Sequence, residues 1–364
     1  MKPSNLKSDK NLSRREVNRR HARHYTTVLR EAESLNKQGG EPLLQGLAAF
    51  DDQWPNIQTA LDRVESRVEK GEQDKQAAGL CVAYHFAGPN ILDLRQHPRD
   101  RVRRLEVVLA AARSLCFSDG EISALTNLAI AHDDLGATQR SIELYEEALA
   151  LVRTKGKRAN EASILGNLGS VYYGLGDIKR SIKFYEQGLE IAREFKIRRS
   201  EGPLLGNLGN AYSSLGEIKK AISFYEQSLV IERAEKNLRG EQNDLTNLGV
   251  AYASLGQIGR ALELYQEALI IARQLKDHRN EAGLLGSIAN AYHVLGDPEQ
   301  VITLHNNALA TARNQADPSF EGECLGNLGN AYAAARNLER AIDFYTDTHN
   351  RAQTWNPLQR KQRH

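Results

Sequence analysis

The sequence predicts an all-α solenoid of stacked helix-turn-helix units. Three observations predict it: a strict internal period of forty residues, a glycine column at the point where a first helix must end, and apolar residues at spacings of three and four on both sides of that glycine. A helical hairpin of this size cannot bury its own apolar stripe, so each unit must stack on its neighbours to make one continuous core.

The period is legible without an insertion. Glu121, Glu161, Glu201, Glu241, Glu281 and Glu321 share one column, and Leu125, Leu165, Leu205, Leu245, Leu285 and Leu325 share another. Two residues further on stand Asn127, Asn167, Asn207, Asn247, Ser287 and Asn327.

Within each unit the first helix, helix A, carries these columns. It ends at Gly136, Gly176, Gly216, Gly256 or Gly296, where a left-handed residue closes the helix. Asp177, Glu217 and Asp297 follow and suit the start of helix B. Helix B shows its apolar stripe at Ile182, Tyr185, Leu189 and Ala192. Gly169, Gly209, Gly249 and Gly329 recur inside helix A, although such a glycine costs about 1 kcal/mol against alanine, so close packing is expected there.

The flanks divide the chain further. Residues 1–13 read as a disordered basic tail, and 14–76 as a helical segment broken near Lys37-Gln38-Gly39-Gly40. Residues 77–120 read as a degenerate repeat whose first helix is rearranged around Pro89, residues 121–352 as six repeats, and 353–364 as a basic tail. In the last copy Arg336 replaces the turn glycine.

Asn-Leu-Gly-x-Ala-Tyr-x-x-Leu-Gly followed by Ala-Ile-x-Phe-Tyr-Glu-Gln resembles the tetratricopeptide repeat, and the forty-residue length is similar to the repeats of kinesin light chains and spindle adaptors. The resemblance implies a right-handed superhelix whose helix A face lines a concave groove for a protein or peptide. Upstream, Arg-His-Ala-Arg-His-Tyr at 20–25, Phe50-Asp51, Asn56-Ile57 and Ala60-Leu61 resemble the segment joining the ATPase core of bacterial STAND regulators to their repeat sensor. No Gly-x-x-x-x-Gly-Lys-Ser/Thr loop is present, so nucleotide switching does not carry over.

Composition narrows the function classes. The net charge of +2 leaves no global field, although nine Lys and Arg against two acids fill the first thirty residues. Arg14, Arg15, Arg19, Arg20 and Arg23 offer nucleic-acid binding as an alternative, disfavoured because Glu16 and the stripe Val17, Tyr25 and Val28 read as a packed helix. Cys81, Cys116 and Cys324 read as small buried hydrophobes in a reducing cytoplasm. No apolar run reaches the ~20 residues of a membrane span, so a cytoplasmic protein without membrane association is expected; a bacterial source is expected as part of the adaptor or sensor reading. His21 with His24 lacks a third ligand, no residues pair as a catalytic dyad or triad, and no metal, cofactor or enzymatic activity is expected.

The resemblance places the binding residues. The Asn ladder Asn127, Asn167, Asn207, Asn247 and Asn327 projects into the groove, where an amide offers donor and acceptor to a peptide main chain; bonding to a neighbouring repeat is the competing role. Asn210, Asn290 and Asn330 follow three residues on, with Tyr173 and His293 beyond. The lysines of a carboxylate clamp are absent. Arg153, Arg193, Arg233, Arg273 and Arg313 end helix B as a solvated ridge complementing the helix dipole. The expected function is an interaction scaffold or sensor, signalling through a bound protein or peptide. The alternative in the same class is a detached STAND-type sensor acting with a separate ATPase.

Overall fold

The computed structural model describes residues 14–36, 40–69, 74–88, 92, 97–275, 277–314 and 318–354. The tail expected at 1–13, Pro89 and the residues after 354 lie outside that set. The described residues form helices joined by short turns, with no strand among them. They fall into two compact units, residues 1–196 and 197–364.

The first unit holds α1 (Arg14–Asn36), α2 (Gly40–Glu69), α3 (Lys75–Ala87), α4 (Pro98–Ser114), α5 (Ser118–Asp134), α6 (Thr138–Thr154), a short 3-10 turn at Arg158–Asn160, α7 (Glu161–Gly174) and α8 (Ile178–Glu194). Its upstream core gathers Ala22, Leu29, Phe50, Ile57 and Tyr84. The buried face of α1 therefore runs through Ala22, Thr26, Leu29 and Ala32, and Val17 is half exposed, outside the stripe assigned to it.

The second unit holds α9 (Arg198–Ser214), α10 (Ile218–Ala234), α11 (Leu238–Ser254), α12 (Ile258–Gln274), α13 (His278–Leu295), α14 (Pro298–Asn314), α15 (Pro318–Ala334) and α16 (Leu338–Thr354). Each helix packs on the next, and the core runs through Leu245, Leu248, Leu284, Leu285, Leu325 and Leu328 of the A helices.

The turn glycines do what their column predicts. Gly136, Gly176, Gly216, Gly256 and Gly296 all lie at φ between 74° and 77°. Their N–H groups, and those of the following residues, take up carbonyls of the last turn, as Gly216 N to Ser213 O at 2.9 Å and Glu217 N to Tyr212 O at 2.9 Å. Arg336 keeps the same turn at φ 61°, so the last copy retains its geometry without the glycine.

The turn from helix B to the next helix A is left-handed too, at Cys116, Gly156, Lys196 and Lys236. This corrects the reading of the cysteines: Cys81 and Cys324 are buried, but Cys116 is exposed because it occupies that turn.

The glycines inside helix A answer to one ring. A Cβ on Gly209 would sit 2.4 Å from Cε1 of Tyr225, and one on Gly249 would sit 2.4 Å from Cε1 of Tyr265. The close approach expected between helices is thus the tyrosine of helix B lying across the glycine of helix A.

The arginine ridge is half exposed, and its members pair with the glutamate column. Arg233 Nε donates to Glu241 at 2.7 Å, Arg273 to Glu281 at 2.9 Å, Arg313 to Glu321 at 2.9 Å and Arg153 to Glu161 at 3.0 Å. Two columns that read separately in the sequence are partners across a turn. The arginines stay half exposed while Glu161, Glu281 and Glu321 are buried, so losing an arginine would leave a desolvated carboxylate without its donor.

Candidate functional site

In the second unit the helix A register puts Asn207 and Asn210 on α9 and Asn247 on α11, and packing brings them to one cavity of ≈540 Å³. Pro203, Gly206 and Thr246 complete the wall that they form. Asn243 and Asn280 add further amides, so α9, α11 and α13 all contribute to the lining. With Asn237, six asparagine side chains line one opening, and their amides can donate and accept in both directions without carrying charge.

Part of that capacity is used internally. Asn210 Oδ1 accepts from Tyr225 Oη at 2.8 Å and from Asn247 Nδ2 at 3.2 Å. Asn247 thereby bonds the preceding repeat, the competing role for the ladder, but through a side chain rather than backbone. Its Oδ1 and second amide proton are not engaged by that bond. Asn330 Oδ1 likewise accepts from Tyr345 Oη at 2.7 Å. The tyrosine that lies across the helix A glycine therefore also fixes the rotamer of the asparagine one residue further along.

The other predicted residues are placed differently. Asn290 and His293 are exposed on α13, Asn327 is half-buried on α15 and Asn330 is exposed there; none of these four lines the cavity. In the first unit Asn167 hydrogen-bonds the Tyr145 hydroxyl, and Tyr173 is half-buried on α7. Asn127 lies 3.1 Å from Nε2 of His85 and lines a separate cavity of ≈320 Å³ with Phe86, Asp119, Ser123 and Asn160. Burial, reinforced by nearby Arg101, pulls the His85 pKa down to about 4, so that imidazole is neutral at physiological pH.

Below the asparagines the larger cavity has features that the repeat consensus does not contain. Asp244 on α11 and Glu232 on α10 are each 4% exposed and both line it. Asn237 Nδ2 donates to Glu232 Oε2 at 2.6 Å. Asp244 Oδ2 is buried without a hydrogen-bond partner. Burial first, and the neighbouring Glu232 charge in addition, push the Asp244 carboxyl up to about 7, opposed by the Ser228 hydroxyl. Burial raises the Glu232 carboxyl as well, against the Asn237 hydrogen bond. The signal was present in the sequence as acids in two otherwise apolar columns.

A family profile described as tetratricopeptide repeat matches residues 120–194, 160–234 and 241–314. No curated protein sequence matches the chain. Among solved structures it is similar to a signal transduction ATPase with numerous domains, a STAND protein with a tetratricopeptide repeat sensor from Pyrococcus horikoshii. That match has TM-score 0.61 at 15% identity over 94% of this chain and 53% of that one, so the chain spans about half the ATPase's length. It is similar to the apo form of the quorum sensor NprR from B. thuringiensis, with TM-score 0.58 at 15% identity over 93% of this chain and 100% of that one. It is also similar to aspartyl phosphate phosphatase F from Bacillus subtilis, with TM-score 0.52 at 12% identity over 94% of this chain and 95% of that one. At these identities the likeness is one of fold.

Proposed function

The chain belongs to the tetratricopeptide-repeat family, and from that premise we propose that it is a non-catalytic binding module that holds an extended peptide, or an extended segment of a partner protein, against helix A of its repeats. The observation that carries this reading is the cavity where Asn207, Asn210 and Asn247 meet. Amides presented from successive A helices match the alternating C=O and N–H of an extended main chain, and a peptide held so is recognised whatever most of its side chains are. Likeness of fold to a protein named as a quorum sensor supports a sensing role. No described helix is long and apolar enough to cross a membrane, and the free cysteines suit a reducing cytoplasm.

A second reading within the same class is a sensor that works with a separate ATPase. It is favoured by the fold likeness to the STAND protein, which extends over 94% of this chain. The basic helix α1 supports nucleic-acid binding less well: Arg19 is paired with Asp74 at 3.3 Å and Arg20 with Glu16 at 3.7 Å.

Affinity capture from native cytoplasm tests the leading reading, using the wild type beside an Asn207→Ala, Asn247→Ala double variant. A protein retained by the wild type and lost by the variant supports the assignment. Retention of the same proteins by both, or of an ATPase by both, moves the binding surface elsewhere.

A further inference from the structure

Two buried columns of the repeat are apolar in every copy but one. Positions 124, 164, 204, 284 and 324 hold Ala, Ile, Leu, Leu and Cys, all buried, and Asp244 stands in their register. Positions 152, 192, 272 and 312 hold Val, Ala, Ala and Ala, also buried, where α10 has Glu232. Both exceptions fall at the junction of α9, α10 and α11, and both face the same cavity.

The backbone around them is shaped to suit. A Cβ on Gly202 would lie 2.2 Å from Glu232 Oε1, and one on Gly240 would lie 2.4 Å from Glu232 Oε2. Two glycines therefore make room for one carboxylate, which Asn237 then orients. Desolvating an acid without a counter-charge is costly, and the usual remedy is a cation or a hydrogen-bond donor. Here one carboxylate oxygen, Asp244 Oδ2, is buried at the cavity wall with no donor at all. Replacing both acids by the residues of the other repeats would remove that cost, so their presence indicates something that meets them.

We propose that this cavity is a pocket for a guanidinium or ammonium group, whose N–H donors bond the Asp244 and Glu232 carboxylates while the asparagines above hold the chain attached to it. The charge balance fits. With both acids ionised and Arg239 on the rim, the lining carries one net negative charge, which a single monocation neutralises. The volume of ≈540 Å³ suits an organic cation. A bare divalent ion instead requires a tight shell of six or more oxygens, and no group of three metal-ligating side chains occurs among the described residues. A guanidinium has five donors in a planar fork, enough to serve two carboxylates together. The cation has two sources: a basic residue of a bound peptide, or a free small amine. As a statement about the partner's chemistry, this inference rests on the reading of helix A as a binding face.

Calorimetric titration of the full chain separates these cases. The probes are N-acetyl-arginine amide, its uncharged citrulline counterpart, the peptide Gly-Ser-Arg-Ser-Gly, and calcium or magnesium chloride. The arginine amide is expected to bind at least about tenfold more tightly than the citrulline amide. That preference is expected to vanish in Glu232→Ala, Asp244→Leu, which restores the residues of other repeats, and in the isosteric Glu232→Gln, Asp244→Asn. Circular dichroism establishes that both variants are folded. Tighter binding of the peptide than of the arginine amide, lost in Asn207→Ala, Asn247→Ala, identifies a peptide as the source; equal affinity identifies a free amine. Equal binding of arginine and citrulline probes, unchanged affinity in both acid variants, no binding of either guanidinium probe, or binding of the divalent ions alone would overturn the pocket. A captured partner that needs the asparagines and ignores the acids would leave the proposed function standing while this inference falls.

Discussion

Replacing Asp244 by leucine should stabilise the second unit, and the gain should depend on pH in a direction that the structure fixes. The side chain is 4% exposed and its carboxyl titrates near 7 rather than near 3.8, chiefly because of desolvation. A raised carboxyl pKa means that the folded state holds the proton more tightly than the unfolded chain does. The native state is therefore favoured below the unfolded pKa and loses that stability as pH rises through the folded one. Each pH unit that separates the folded pKa from the unfolded one corresponds to about 1.4 kcal/mol, so moving from about pH 5 to about pH 8 should weaken the wild type by roughly 2–3 kcal/mol relative to a variant with no proton to lose. His305 acts the other way: burial lowers its pKa, so its contribution falls as pH falls. That residue is common to both proteins and cancels in their difference. Urea unfolding followed by circular dichroism at the two pH values gives the comparison. The leucine variant should be the more stable at the higher pH, by a margin that shrinks on acidification. A difference independent of pH, or one that grows on acidification, would refute the burial argument for Asp244.

Other consequences concern the frame that holds the site. Gly209→Ala should destabilise by about 1–3 kcal/mol despite the gain in helix propensity, since the added methyl enters the Tyr225 ring, as thermal melting would register. Gly283→Ala, which meets nothing within 4 Å, should instead raise the melting temperature by the equivalent of up to about 1 kcal/mol. Arg336→Gly should stabilise by about 1 kcal/mol in the same assay, because a left-handed φ of 61° strains any residue with a Cβ. Arg104→Ala should cost about 3 kcal/mol in urea unfolding, since Arg104 bonds both Glu65 and Asp62 at 2.9 Å and its loss leaves the Glu65 carboxylate, which is 2% exposed, with the longer 3.7 Å pairing to Arg103.

Much of the fold was legible because the sequence states each rule several times. A lone glycine is a weak helix stop, but five in one column mark the same left-handed turn, and all five have it. The second turn was not legible, since its left-handed position is held by a cysteine, a glycine and two lysines, Cys116, Gly156, Lys196 and Lys236, and only the glycine favours that conformation. Cys116 was misread as buried for that reason. The glutamate column was visible but unexplained, because its arginine partners stand eight residues away, across a turn rather than along one helix face.

The site divides in the same way. A column assigns Asn207 and Asn247 to one face, and only packing shows that Asn247 reaches back to Asn210. The same column points to Asn127, yet a neutral His85, from a segment outside the repeat register, lies against its amide. Glu232 and Asp244 belong to no recurring pattern, so the repeat columns do not point to them. The informative feature there is the departure, two acids in buried apolar columns.

Hydrogen exchange with and without a bound peptide tests the central claim most directly, using a peptide selected from a random-sequence library on the wild-type chain. Binding to helix A predicts slowed exchange in Arg198–Ser214, Leu238–Ser254 and His278–Leu295, absent when the Asn207→Ala, Asn247→Ala variant is given the same peptide. Slowed exchange confined to Ile218–Ala234 and Ile258–Gln274, or protection that survives the double substitution, would contradict it.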